Sequence, residues 1–133
     1  MSPVLSTYET VLYAHDLVAV RPFYAEVLGL RDISRGLPRG LAFRIDDRSL
    51  LLIFDPRLTV LPHDLVPSHG AEGAGHLALR AEPGSLAEWR TRLVEAGYPI
   101  ERDVDWPTGA KSVYVRDPAG NSVEIVDGEI WPT

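Results

Sequence analysis

Two stretches of the chain run through the same order of elements, and this repeat limits the folds open to it more than any other feature. In the first, "ETVLYAH" (9–15) has the apolar centre of a strand at Val11, Leu12 and Tyr13. Asp16 stands at a helix N-cap position, and Leu17 to Leu28 follows as a helix with its stop at Gly29. Pro22 suits that helix only within the first turn, where N–H groups have no intrahelical partner. "LAFRID" (41–46) and "SLLLIFD" (49–55) then read as strands joined by a polar turn at Asp47 and Arg48. The second stretch opens with the strand "GHLALRAE" (75–82). Ser85 and Glu88 have capping-box spacing ahead of a helix whose apolar face is Leu86, Trp89, Leu93 and Ala96, stopped by Gly97. "KSVYVRD" and "NSVEIVD" close it as a strand pair around Asp-Pro-Ala-Gly.

From Glu9 to Gly29 is 20 residues and from His76 to Gly97 is 21, and "AFRIDDRSLLLIFD" lies over "VYVRDPAGNSVEIVD" with a one-residue gap. The expected fold is therefore α+β: two βαβββ modules in tandem, forming a cupped mixed sheet around a cleft. A lone module leaves one sheet face bare, and a second can cover it. Module one spans residues 7–56 and module two residues 75–128, both within a single domain over 1–133. Residues 57–74, rich in proline, glycine and histidine, read as a linker or covering loop.

Composition narrows the partners. A net charge of −6 disfavours nucleic acid and anionic membranes, which need a clustered basic surface. No cysteine is present, so disulfides, thiolate-bound zinc and thiol nucleophiles are excluded. No apolar run approaches a bilayer span and no cleavable leader is visible, so the expectation is a soluble cytoplasmic protein.

Strand alternation then sorts the polar residues. Glu9, Val11 and Tyr13 share one face of the first strand. His76, Ala78 and Arg80 share a face in module two, opposite Leu77 and Leu79. Ser122, Glu124 and Val126 oppose Val123 and Ile125. The repeat makes Glu9 equivalent to His76, and Glu124 equivalent to Leu52. Glu9, His76 and Glu124 are thus candidate ligands for one divalent cation per site, its identity open, a donor set that leaves positions for water or substrate. A plainer reading pairs Glu124 with Arg80 or Arg116. His15, His63 and His69 read as solvent-facing loop residues.

"LYAHDLVAVRPFYAEVLGL", "GAGHLALRAE" and "SVYVRDPAGNSVEIVD", together with the repeat, resemble the vicinal-oxygen-chelate superfamily. That superfamily includes glyoxalase I, extradiol dioxygenases, fosfomycin-resistance enzymes and bleomycin-resistance proteins. The resemblance covers nearly the whole chain and implies paired βαβββ modules around a metal, usually as a homodimer. It places the metal ligands on Glu9, His76 and Glu124, and makes Ser112 and Tyr114 similar to substrate-contacting positions of the fosfomycin enzymes. Two departures stand out. Leu52 replaces a carboxylate ligand of glyoxalase I, and Glu9 replaces a histidine of the dioxygenases and fosfomycin enzymes.

The function expected is a metal-dependent enzyme of lyase or isomerase type. Its cation would chelate two neighbouring oxygens of a small oxygen-rich substrate and act as a Lewis acid. Glu124 and Tyr114 are the candidate catalytic groups. Tyr13, Arg80, Lys111, Ser112, Tyr114 and Trp106 are candidates to bind substrate, with Trp106 either an apolar lid or a packing residue. The alternative is a non-catalytic small-molecule binder of the resistance type. An extradiol-type dioxygenase is a third reading, which the carboxylate at position 9 disfavours.

Overall fold

The computed structural model describes all 133 residues, which divide into two compact units, Met1–Glu72 and Gly73–Thr133. The first contains β1 (Glu9–Tyr13), α1 (Leu17–Pro22), a π-helical turn (Phe23–Val27), β2 (Arg31–Asp32), β3 (Gly40–Arg44), β4 (Leu50–Phe54) and α2 (Pro56–Thr59). The second contains β5 (His76–Arg80), α3 (Leu86–Glu95), β6 (Arg102–Asp105), β7 (Lys111–Arg116) and β8 (Ser122–Asp127). Each builds a four-stranded mixed sheet, in the orders β1-β4-β3-β2 and β5-β8-β7-β6. The expected α+β class and the two βαβββ modules are what the chain forms.

The repeat holds in register. β1 runs parallel to β4 with Glu9 beside Leu50 and Val11 beside Leu52. β5 runs parallel to β8 with His76 beside Ser122 and Ala78 beside Glu124. Parallel pairing needs a crossover, which the helical segment and the two strands after it supply in both units. Position by position, Glu9 occupies the place of His76, and Leu52 that of Glu124.

Three local readings are corrected. The helix expected over Leu17–Leu28 is α-helical only to Pro22 and then widens into a π-turn. Asp16 caps it as anticipated, accepting from the Ala19 N–H at 3.0 Å. Pro22, however, lies in its last turn rather than its first. It has no N–H for the carbonyl four residues back, and the ladder resumes with the Leu28 N–H reaching the Phe23 carbonyl at 2.9 Å, five residues back. The wider turn still buries Phe23 and Tyr24 completely, with Tyr24 against Phe43.

The capping box at Ser85 does not form: the Ser85 hydroxyl donates to the Glu82 carbonyl at 2.7 Å instead. Leu86 and Leu93 are buried as expected, while Ala96 lies just past α3 and is exposed. Within the stretch read as a linker, α2 is capped by Asp55, and the His69 N–H donates to the Thr59 carbonyl at 3.0 Å. The Arg57 guanidinium at 2.7 Å holds the Asp55 carboxyl below its usual range.

Gly40 opens β3 where no side chain fits. A Cβ there would stand 2.4 Å from the Ile53 carbonyl oxygen and 2.5 Å from the Phe54 ring. The carbonyl belongs to the paired strand β4 and cannot swing aside as a side-chain tip can. Gly40→Ala is expected to cost about 2 kcal/mol, read as a lower midpoint in urea with an unchanged slope.

Candidate metal and substrate site

The turn ahead of β8 fixes the site. The Asp117 carboxylate accepts from the Ala119 and Asn121 N–H groups at 2.8 and 2.9 Å, closing the loop at Gly120, which has φ +87°. The Asn121 side chain, 1% exposed, donates to Asp117 at 3.0 Å and accepts from the Gly75 N–H at 2.7 Å. The Ser122 N–H donates to the Gly75 carbonyl at 2.9 Å. One turn therefore sets the start of β8 and the residue before His76 together.

Two residues into β8, the Glu124 side chain enters the sheet face at 4% exposure. A desolvated carboxylate needs partners. The Ser112 hydroxyl donates to its Oε2 at 2.5 Å, and Ser112 in turn accepts from the Trp106 indole N–H at 2.9 Å. Tyr114 stands opposite Glu124 across the β7–β8 pair. Burial, and after it the neighbouring carboxylate, push the Tyr114 phenol above its usual range, so it serves as a donor at neutral pH. The plainer partners are engaged elsewhere: Arg80 pairs with Glu129, and Arg116 with Glu101.

His76 completes the arrangement. Its Nε2 lies 3.2 Å from Glu124 Oε1, and its ring stacks on Tyr114 at 6.1 Å between centroids. Its Nδ1 lies 3.1 Å from the Ser122 carbonyl oxygen, which can only accept, so that nitrogen carries a proton. Nε2 then faces an oxygen that also only accepts when ionised. Two lone pairs converge unless something positive lies between them, either a second proton on the imidazole or a cation. An imidazole that donates one N–H to a carbonyl and turns the other nitrogen toward a carboxylate has the outer bonding typical of a metal ligand. Two adjacent ligands of an octahedral cation, each at about 2.1 Å, stand about 3 Å apart, close to the separation seen. The pair fits a divalent cation.

His76, Tyr114 and Glu124 line a cavity of about 510 Å³ in the second unit, together with Ala78, Arg80, Trp106, Val126 and the segment Gly128–Trp131. The His76 side chain is 52% exposed, so the pair opens toward it. Of the residues singled out from sequence, His76, Glu124, Ser112 and Tyr114 come into contact, with Trp106 bonded to Ser112 and Arg80 in the cavity wall. Lys111 is exposed, 3.6 Å from Asp105, and does not line this cavity. Glu9, exposed at the start of β1, and Tyr13 belong to the first unit. The Tyr13 hydroxyl bonds His69 Nδ1 at 2.7 Å, and His69 packs edge-on against Phe54, so His69 is half-buried rather than a free loop residue. The chain gathers no three His, Asp or Glu side chains into one metal-binding group.

Sequence reasoning missed the wall formed by Glu129, Ile130 and Trp131. The one cue was a tryptophan and an isoleucine just beyond the last strand, where surface residues are the rule. It also gave no sign that Trp106 and Ser112 form a chain of hydrogen bonds ending on Glu124.

Residues 8–125 match the family described as Glyoxalase/Bleomycin resistance protein/Dioxygenase superfamily. Among solved structures, a lactoylglutathione lyase from Agrobacterium tumefaciens is 38% identical with a TM-score of 0.90, covering 99% of this chain and 100% of that one. A glyoxalase/dioxygenase from Nostoc punctiforme is 26% identical, TM-score 0.69, covering 97% and 99%. A virulence protein from Salmonella typhimurium, 22% identical with a TM-score of 0.74 over 96% and 100%, shares the fold. Among curated protein sequences none matches.

Proposed function

Since the chain belongs to the glyoxalase/bleomycin resistance protein/dioxygenase superfamily, we propose that it is a metal-dependent enzyme of lyase or isomerase type. Its substrate is a small molecule that offers two neighbouring oxygens to a divalent cation. The observation that carries this reading is the convergence of His76 Nε2 and Glu124 Oε1, 3.2 Å apart, with the other imidazole nitrogen committed to the Ser122 carbonyl. A similar structure is a lactoylglutathione lyase, which supports the enzyme class and makes lactoylglutathione the first compound to try.

His76 and Glu124 hold the cation in this proposal. Of their counterparts in the repeat, Glu9 keeps an exposed carboxylate at the start of its own unit's first strand and Leu52 offers no donor. A cation bound there supplies Lewis-acid polarisation of the substrate oxygens. The remaining work falls to side chains. Ser112, oriented by the Trp106 indole, keeps the Glu124 carboxyl aimed, so that its free lone pairs can ligate or take up a proton. Tyr114, held protonated, donates a hydrogen bond to the substrate oxygen on which charge develops. Trp106 and Val126 give the cavity dry walls that strengthen both effects.

Those same walls suit a resistance-type binder of apolar ligands, the second reading. The two separate on turnover of lactoylglutathione in the presence of divalent cations. The enzyme reading expects turnover that stops on chelation and returns with added cation. No turnover under any cation, together with binding of an apolar aromatic compound, supports the binder.

A further inference from the structure

Within the cavity of the second unit, Arg80 is the sole Lys or Arg side chain in the wall. It stands on the same face of β5 as His76 and Ala78, four residues on, or roughly 13 Å of strand at about 3.3 Å per residue. Along the floor Ala78 lies beside Glu124, and Arg80 beside Val126. The cavity thus carries the ligand pair, His76 and Glu124, toward one end and a guanidinium at the other, with Ala78 and Val126 as the apolar surface between them. Arg80 is engaged by the Glu129 carboxylate, which also lines the cavity. Glu129 follows Gly128, whose φ of +100° places it in the left-handed region, and precedes Ile130 and Trp131, which extend the wall. Both partners are largely exposed, 67% and 64%, and an exposed ion pair is held weakly enough to exchange for another carboxylate.

We infer that Arg80 is a specificity-determining residue that binds a carboxylate at the far end of the substrate, and that Glu129 occupies this position until substrate arrives. The substrate class that fits is an elongated acid: vicinal oxygens at one end, an apolar middle, and a carboxylate on the order of 10 Å away. This rests on the reading of His76 and Glu124 as cation ligands.

Two hydroxamates test it by isothermal titration on the manganese(II)-loaded chain, since a hydroxamate presents two adjacent oxygens to a cation. Suberic acid monohydroxamate ends in a carboxylate; octanohydroxamic acid ends in a methyl group. The parent chain is expected to bind the former about fivefold tighter, Arg80→Gln to erase that preference, and Glu129→Gln to widen it about threefold further. Arg80 and Glu129 are exposed, so these variants keep the fold. Equal affinities in the parent, a preference that survives Arg80→Gln, or no gain in Glu129→Gln overturns the inference. Failure of both hydroxamates to bind instead removes the cation site, and the proposed function with it.

Discussion

Glu124→Ala is expected to abolish uptake of divalent cation, measured as metal retained per chain after equilibrium dialysis. The substitution removes one of the two converging ligands and leaves His76 with a single donor nitrogen. It also strands the Ser112 hydroxyl, 1% exposed, without the acceptor it points at. An unsatisfied buried hydroxyl costs about 1–3 kcal/mol, so some stability falls along with binding. Glu124→Gln separates the two effects. The amide can still accept from Ser112 and should keep the fold close to that of the parent, while its neutral oxygen is a poor ligand. Cation uptake that survives in Glu124→Gln would place the metal elsewhere.

The second large effect is expected from a residue that touches neither metal nor substrate. Asn121→Ala leaves the Gly75 N–H and part of the Asp117 carboxylate without their partner at a site 1% exposed. The expected loss is about 3 kcal/mol, from two buried polar groups rather than one. Because Asn121 ties the turn before β8 to the residue before His76, the variant should also weaken cation binding about ten- to a hundredfold, as loss of an outer-shell support does. The check is paired: urea unfolding for stability, and cation titration under conditions where the variant remains folded. A variant that loses stability but binds cation as the parent does would show that the turn holds the fold and does not set the site.

Much of this was legible in the residues, for definite reasons. Glu124 stood out because a carboxylate within an apolar strand must face something, and alternation assigned it to the face shared with Ser122 and Val126. The repeat then paired Glu9 with His76 and Glu124 with Leu52, and the registers of β1 with β4 and of β5 with β8 reproduce that pairing. What could not be read depends on through-space chemistry or on marginal elements. β2 and β6 are short edge strands made largely of charged residues, which carry no alternating pattern. Pro22 signalled a disturbed helix, yet sequence alone cannot say whether the chain breaks, kinks or widens into a π-turn. Ser85 and Glu88 have the right spacing for a capping box, but Ser85 has ψ 1° rather than the extended backbone of an N-cap, and its hydroxyl turns back to donate to the Glu82 carbonyl. The order Trp106, Ser112, Glu124 joins residues from a loop, β7 and β8, and only the β7–β8 register brings them together.

The central claim is that His76 and Glu124 share a cation. It is tested most directly by titrating chelator-free protein with zinc(II), counting equivalents bound while following the imidazole ¹⁵N signals of uniformly labelled chain. One equivalent per chain is expected, with a shift confined to the His76 ring among the four histidines, and with both effects absent from His76→Ala. Binding of less than about half an equivalent at saturating zinc, or a full equivalent that leaves His76 unperturbed, would contradict the account.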